Sequence, residues 1–294
     1  MEPYLRVSGG WRSLQSGLVV PDGAADPAFV PGWGLPTWRD EFDGTTLDLS
    51  KWRLNDAATF GNLSYDWGNI KSGQVTVSGG NLVLSVTQRA TPVTGGDGRA
   101  RWFDTPYVDT RGAGMHSALY GRWEIRAKNN TPVDTSRGIW PAFWLRNASV
   151  GEIDIMEEWG TPSDRPGSYR AGYSQFTLHE STNGGLAKSG YWTESQANAA
   201  DGTTRGPNAA GFQVWTFERT PTYLSLKHNG TEAVRETPAS LPWAWGPNFQ
   251  DPFHMRLQVQ MGDSYWTQAP VPSAQTVANS AMLVDYVRFW AYPG

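Results

Sequence analysis

An all-β fold, a sandwich or a barrel, is what this sequence predicts, and three observations lead there. Short runs with a two-residue apolar alternation recur along most of the chain, separated by clusters of Gly, Pro, Asn and Asp. No segment longer than two turns holds a 3.6-residue apolar pattern with caps. No internal repeat is present, which argues against a propeller. Many short strands without helices leave stacked or closed sheets as the way to bury a core.

Residues 1–36 stand apart. Two short apolar pieces, Tyr4-Leu5-Arg6-Val7 and Leu18-Val19-Val20, flank a Gly-Gly-Trp-Arg turn, and a Pro/Gly/Ala-rich stretch without periodicity follows. They read as a short extension and linker. From Trp38 onward the signals are those of strands, so residues 37–294 read as one domain. Gln74 to Leu84 is a hairpin about Ser78-Gly79-Gly80-Asn81. Tyr120 to Lys128 alternates, with Trp123, Ile125 and Ala127 on one face and Arg122, Glu124, Arg126 and Lys128 on the other. Further strands are expected at Tyr173–His179, Gln213–Arg219, Tyr223–Lys227, Phe253–Met261 and Met282–Tyr292.

Composition removes several function classes. A net charge of −4 without a run of Lys and Arg offers no footprint for nucleic acid. No apolar run is long enough for a membrane helix. With 0 Cys there is no disulfide, zinc–cysteine site or thiol nucleophile. The first residues lack the basic start and apolar core of a signal peptide. The 16 tryptophans are the compositional excess, and an indole face suits a pyranose ring as well as a core.

The chemistry concentrates in Gly151-Glu-Ile-Asp-Ile-Met-Glu-Glu-Trp159, downstream of a tryptophan run, Gly138-Ile-Trp-Pro-Ala-Phe-Trp-Leu145. On a regular strand Glu152 and Asp154 share a face and Glu157 turns away. One extra residue near Ile155-Met156, a β-bulge, returns Glu157 to that face. The Glu152 and Glu157 Cα atoms then lie about four strand steps, roughly 13 Å, apart. Two glutamate arms leaning together bring their carboxyls to about 5 Å, the separation of a retaining glycosidase and too short for an inverting one. Glu152 would be nucleophile, Glu157 acid/base, and Asp154 the residue that shares a proton with Glu152. Alternating acids are also what a solvated strand face looks like, and a carboxylate metal site would show them too. Glu158 is a rival to Glu157.

Glu152-Ile-Asp154-Ile-Met-Glu157 resembles the signature of family 16 glycoside hydrolases, which include laminarinases, lichenases, agarases and carrageenases. The resemblance extends to Trp38-Arg-Asp-Glu-Phe-Asp-Gly, Leu47-Asp-Leu-Ser-Lys-Trp52, Tyr120–Lys128, the tryptophan run and Leu283-Val-Asp-Tyr-Val-Arg-Phe-Trp. It implies a β-jelly-roll of two curved antiparallel sheets, the concave one lining a sugar cleft. It implies Glu152, Asp154 and Glu157 as catalytic residues and Trp140 and Trp144 at the subsites nearest cleavage. It also implies His179 near the acid/base. Trp123, Asn69 and Trp159 complete the expected substrate-binding set.

No catalytic cofactor is implied. A structural calcium at Glu41, Gly80 and Asp285 is, beside the plainer reading that Asp285 only makes hydrogen bonds at a strand end. The expected substrate is a β-1,3(-1,4)-glucan, cleaved internally by a monomer acting outside the cell. Two stretches depart from the laminarinase pattern, Phe60–Asn69 and Gln258–Trp266. They leave open a β-galactan or a bacterial wall or capsule polysaccharide. A transglycosylase would use the same three acids, and a non-catalytic lectin-like jelly roll would share the fold. Leu5-Arg-Val-Ser-Gly-Gly-Trp-Arg-Ser-Leu14 resembles segments of tail proteins from phages of actinobacteria, which would make the chain a virion-associated depolymerase.

Overall fold

A computed structural model describes residues 4–7, 10–13, 26–56, 66–95, 97–112, 114–131, 136–158, 160, 174–181, 184–192, 211–262, 272–273, 276 and 281–294. Its strands in chain order are β1 (Tyr4–Val7), β2 (Gly10–Ser13), β3 (Trp38–Asp40), β4 (Arg53–Leu54), β5 (Asn69–Ile70), β6 (Val75–Ser78), β7 (Asn81–Ser85) and β8 (Thr87–Thr94). Then follow β9 (Ala100–Thr105), β10 (Tyr107–Asp109), β11 (Gly121–Asn129), β12 (Ile139–Arg146), β13 (Glu152–Glu158), β14 (Ser174–Ser181) and β15 (Gly184–Trp192). The last five are β16 (Gln213–Arg219), β17 (Leu224–His228), β18 (Thr231–Glu236), β19 (His254–Met261) and β20 (Ala281–Ala291). Three short 3-10 turns are the helical pieces among the described residues.

Two antiparallel sheets make the body. One runs β15-β14-β13-β12-β19-β10-β4 and will be called the acid sheet. The other runs β18-β17-β16-β11-β20-β7-β6, with β3 also paired to β20. Strands distant in sequence are neighbours in both, as in β12-β19 and β11-β20, which is the crossed connectivity of a jelly roll. A three-stranded sheet, β5-β9-β8, and the β1-β2 hairpin are separate.

The inner faces pack a continuous core. Trp123, Ile125 and Ala127 of β11, Trp215 and Phe217 of β16, and Val284 and Val287 of β20 come from one sheet. Phe143 and Leu145 of β12, Ile153 and Ile155 of β13, Phe176 and Leu178 of β14, and Met255, Leu257 and Val259 of β19 come from the other. The alternation seen at Tyr120–Lys128 thus marks a strand with one face in the core. Gly121 opens that strand because a Cβ there would overlap the Phe289 ring.

Residues 26–37 lie against the closing strand. Trp290 Nε1 donates to the carbonyls of Ala28 and Gly34, each at 3.2 Å, and Arg39 pairs with Asp26 at 3.2 Å.

Candidate active site

β13 departs from regular pairing where the acids required it to. Against β12, Asp154 faces Trp144, Met156 faces Phe143 and Glu157 faces Ala142, so Ile155 is skipped. Against β14, Asp154 faces Thr177 and Glu157 faces Gln175. The extra residue lies in the Ile155-Met156 pair. It puts Glu152, Asp154 and Glu157 on the outward face while Ile153, Ile155 and Met156 stay fully buried. Glu158 turns inward, is 1% exposed, and accepts a hydrogen bond from Asn129 Nδ2 of the other sheet at 2.7 Å. It is therefore no rival to Glu157 at the outward face.

The turn that joins β12 to β13 is tightly specified. Asn147 Oδ1 accepts from the Gly151 N–H at 2.8 Å, and Asn147 Nδ2 donates to the Asn248 carbonyl at 2.8 Å. A Cβ at Gly151 would overlap that same carbonyl. Val150, β-branched, holds φ at 65°, a left-handed conformation that costs energy. The strain sits directly before the acids, and the turn anchors the register that aims them.

The two glutamates live in different fields. Arg146 Nη1 donates to Glu152 Oε2 at 2.6 Å. Burial and the Asp154 charge push the Glu152 pKa up to about 7, while His179, Arg146 and Arg256 pull the other way. Glu157 is held well above the usual carboxylate range by burial, then by Asp154 and Glu152. Its one opposing contact is Trp140 Nε1, which donates to Glu157 Oε1 at 3.2 Å. Asp154, 6% exposed, meets His179 Nε2 at 3.1 Å through Oδ2. Burial would lower the His179 pKa, but the Asp154 hydrogen bond and the Asp154 and Glu152 charges raise it overall. Glu152 is thus positioned to ionise first and Glu157 to keep its proton.

The register carries the outward face across the sheet. Trp140, Ala142, Trp144 and Arg146 of β12 stand opposite Gln260, Gln258, Arg256 and His254 of β19. Sequence reasoning found Trp140 and Trp144 but missed Arg146, although a two-residue step from Trp140 reaches it. The same step through Phe253–Met261 would have singled out His254, Arg256, Gln258 and Gln260.

Four expected binding residues are placed differently or lie outside the described residues. Trp123 is fully buried between the sheets, with its ring 5.0 Å from Phe289 and 5.9 Å from Phe217, so it is core. Its strand belongs to the sheet without the acids. Asn69 is 1% exposed in β5 and spends its amide on Asp104 of β9. His179 faces Glu152 and bonds Asp154, and it is Gln175 that sits beside Glu157. Trp159 lies outside the described residues.

Two of the three expected calcium ligands, Glu41 and Asp285, already hold arginines. Glu41 gives both carboxylate oxygens to Arg288, each at 2.8 Å, and Asp285 gives Oδ2 to Arg126 at 2.6 Å. Gly80 sits in the β6-β7 turn with φ at 73°. The acids around this point do repel: burial, then Glu41, Asp40 and Asp285, push Asp43 up to about 6. Arginines, already in contact, supply the positive charge here. Among the described residues the one tight group of metal-type donors is Glu152, Asp154 and His179, whose atoms lie within 4.8 Å of one another. Arg146 already stands on that group.

With the geometry in view, comparison with known proteins is decisive. The family model of glycosyl hydrolases family 16 matches residues 62–269. The chain belongs to that family. Among curated relatives, the glucan endo-1,3-beta-glucosidase A1 of Niallia circulans is 28% identical over 290 residues, 90% of this chain and 39% of that protein. The beta-glucanase of Rhodothermus marinus is 28% identical over 289 residues, 90% of this chain and 87% of that protein. The chain therefore spans well under half of the first relative and most of the second. The laminarinase catalytic domain of Thermotoga maritima superimposes with a TM-score of 0.70 at 22% identity, covering 87% of this chain and 97% of that one. That likeness shows that this family 16 chain has the jelly-roll fold of a laminarinase domain.

Proposed function

We propose that this chain is an endo-acting, retaining glycoside hydrolase that cleaves a β-1,3-linked or mixed β-1,3/1,4-linked glucan by double displacement. The observation that carries this reading is the bulge in β13, which sets three acids on one face, where Arg146 stands on Glu152 while only the Trp140 N–H opposes the rise of Glu157. Glu152, steadied by Arg146, attacks the anomeric carbon as a carboxylate. Glu157, protonated and oriented by the Trp140 N–H, delivers its proton to the leaving oxygen. The glycosyl–enzyme ester is then opened by water, from which Glu157 takes a proton, restoring both groups. Asp154 and His179 share a proton beside Glu152 and adjust its charge as the ester forms and breaks.

The scheme uses side chains of one chain and no cofactor. A lectin-like module has no use for an ionised and a protonated carboxyl held side by side. The choice of β-glucan is supported by the names of the two curated relatives. A polysaccharide substrate implies a site of action outside a cell. The test is product analysis on laminarin, lichenan, agarose, carrageenan and galactan. Internal cleavage of laminarin or lichenan with β-configured new reducing ends is expected, and loss of turnover in Glu152→Gln with oligosaccharide binding retained. Inverted products, or full activity in that variant, would refute the assignment.

A further inference from the structure

Among the described residues, Arg256 is the one outward-facing arginine of the acid sheet whose charge is left over. Across that face Arg146 is taken by Glu152 and Arg53 by Asp109. Arg256, 8% exposed, makes no ion pair with a carboxylate of the described residues. Its Nε donates to His254 Nε2 at 3.1 Å, and its guanidinium lies 4.3 Å over the Trp144 ring. His254 accepts that bond as a neutral ring, because burial and Arg256 itself hold its pKa down near 3. So the histidine brings no compensating negative charge.

Asp109 stands directly opposite on β10, and its charge and that of Glu152 favour the cation, but the Asp109 carboxylate is held by Arg53 and Asn55. Burial and the like charge of Arg146 work against the guanidinium, which is left without a direct ion pair among the described residues. The cost is not offset by any hydrogen bond from the terminal nitrogens to a protein acceptor among the described residues. A leucine or glutamine would hold this position in the strand at lower cost. Retaining an arginine makes sense if its planar fork of donors meets an anion that the described residues do not supply.

The register says where that anion sits. Arg256 lies in the same cross-strand row as Trp144 and Asp154. It is two strands from β13, roughly 10 Å at the usual strand spacing. That distance is too great for the anomeric centre under attack and reaches the next sugar along the face. We infer that Arg256 is a specificity-determining residue that binds an acidic substituent, a carboxylate or a sulfate ester, on a sugar beside the one that reacts. The inference rests on the reading of this face as a glycan-binding site and deepens it: of two β-glucans with the same backbone, the one that carries an acidic substituent binds more tightly.

Calorimetry on the full chain bearing Glu157→Gln tests this, because that change silences cleavage and leaves the arginines untouched. The probes are β-1,3-gluco-oligosaccharides of one length, in neutral, carboxymethylated and sulfated forms. Binding of at least one acidic form about tenfold tighter than the neutral one is expected, the step one charge-assisted pair supplies. The two acidic arms distinguish carboxylate from sulfate. Adding Arg256→Gln should erase the preference by weakening the acidic probes far more than the neutral one, while Arg256→Lys should keep part of it. Equal affinities for all three probes, or no measurable binding of the acidic ones, overturn the inference without any mutation of Arg256. An equal loss on neutral and acidic probes in Arg256→Gln also overturns it, since that is the mark of a residue that only supports Trp144. Cleavage of laminarin by the unmutated chain is a separate measurement, so failure of the proposed function and failure of this inference are told apart.

Discussion

Arg146 donates to Glu152 across the β12–β13 pair at 2.6 Å, and Glu157, five residues along the same strand, has the Trp140 indole in place of any cation. That asymmetry between two like acids makes the pH profile the most direct window on the site. Removing Arg146 removes a group that favours ionised Glu152. In Arg146→Gln the acid limb of kcat/KM should move to higher pH by about one unit, with the alkaline limb, set by Glu157, unmoved. A shift of both limbs together would mean that the arginine acts on the cluster as a whole.

Glu157 and Glu158 are adjacent in sequence and opposite in fate. Glu157→Gln should reduce turnover by about 1,000-fold with little change in stability. Glu158→Gln should leave turnover within a factor of two or so, since that side chain faces Asn129 between the sheets. Burial raises the Glu158 pKa from 4.5 to about 8. The folded state therefore holds a proton that the unfolded chain loses above 4.5, so this group makes stability fall as pH rises from there to about 8. Glu158→Gln, which keeps an acceptor for Asn129, should be near neutral at pH 4 and stabilising by about 2 kcal/mol at pH 8, or roughly 5 °C in Tm. Thermal melts at the two pH values decide it.

Trp123 and Trp140 separate core from site. Trp123→Ala should cost about 4 kcal/mol by opening a cavity beside Phe217 and Phe289. What remains folded should keep its KM. Trp140→Phe should instead move the alkaline limb upward, because the N–H that favours ionised Glu157 is gone. A KM change in a folded Trp123→Phe protein would contradict its assignment to the core.

The pairing of Glu41 with Arg288 and of Asp285 with Arg126 predicts indifference to chelation. Melts with excess EGTA and with added calcium should coincide. Arg288→Ala should destabilise by about 3 kcal/mol, because it strands a half-buried carboxylate among other acids. A fall in Tm on chelation would restore the calcium reading.

The sheet architecture is legible in the sequence because two-residue alternation is a strong signal wherever one face is buried, as at Trp123-x-Ile125-x-Ala127. The bulge is legible for a subtler reason. Three acids needed on one face, at spacings of two and three, cannot be reconciled with a regular strand. What stays hidden is pairing between strands distant in sequence. Nothing local says that Arg256 stands beside Trp144, or that His179 faces Glu152 rather than Glu157. Trp123 passes for a binding residue because an indole's chemistry is the same in a core and in a sugar site, and only the sheet to which its strand belongs tells them apart. Likewise Glu41 and Asp285 look like cation ligands until the arginines of neighbouring strands come into view.

The indole of Trp290 fastens the backbone at Ala28 and Gly34 to the closing strand, in the sheet that does not carry the acids. A pull on the chain ahead of that clamp is therefore taken up by β20, a strand with partners on both edges, and is spread through a whole layer before it reaches Glu152.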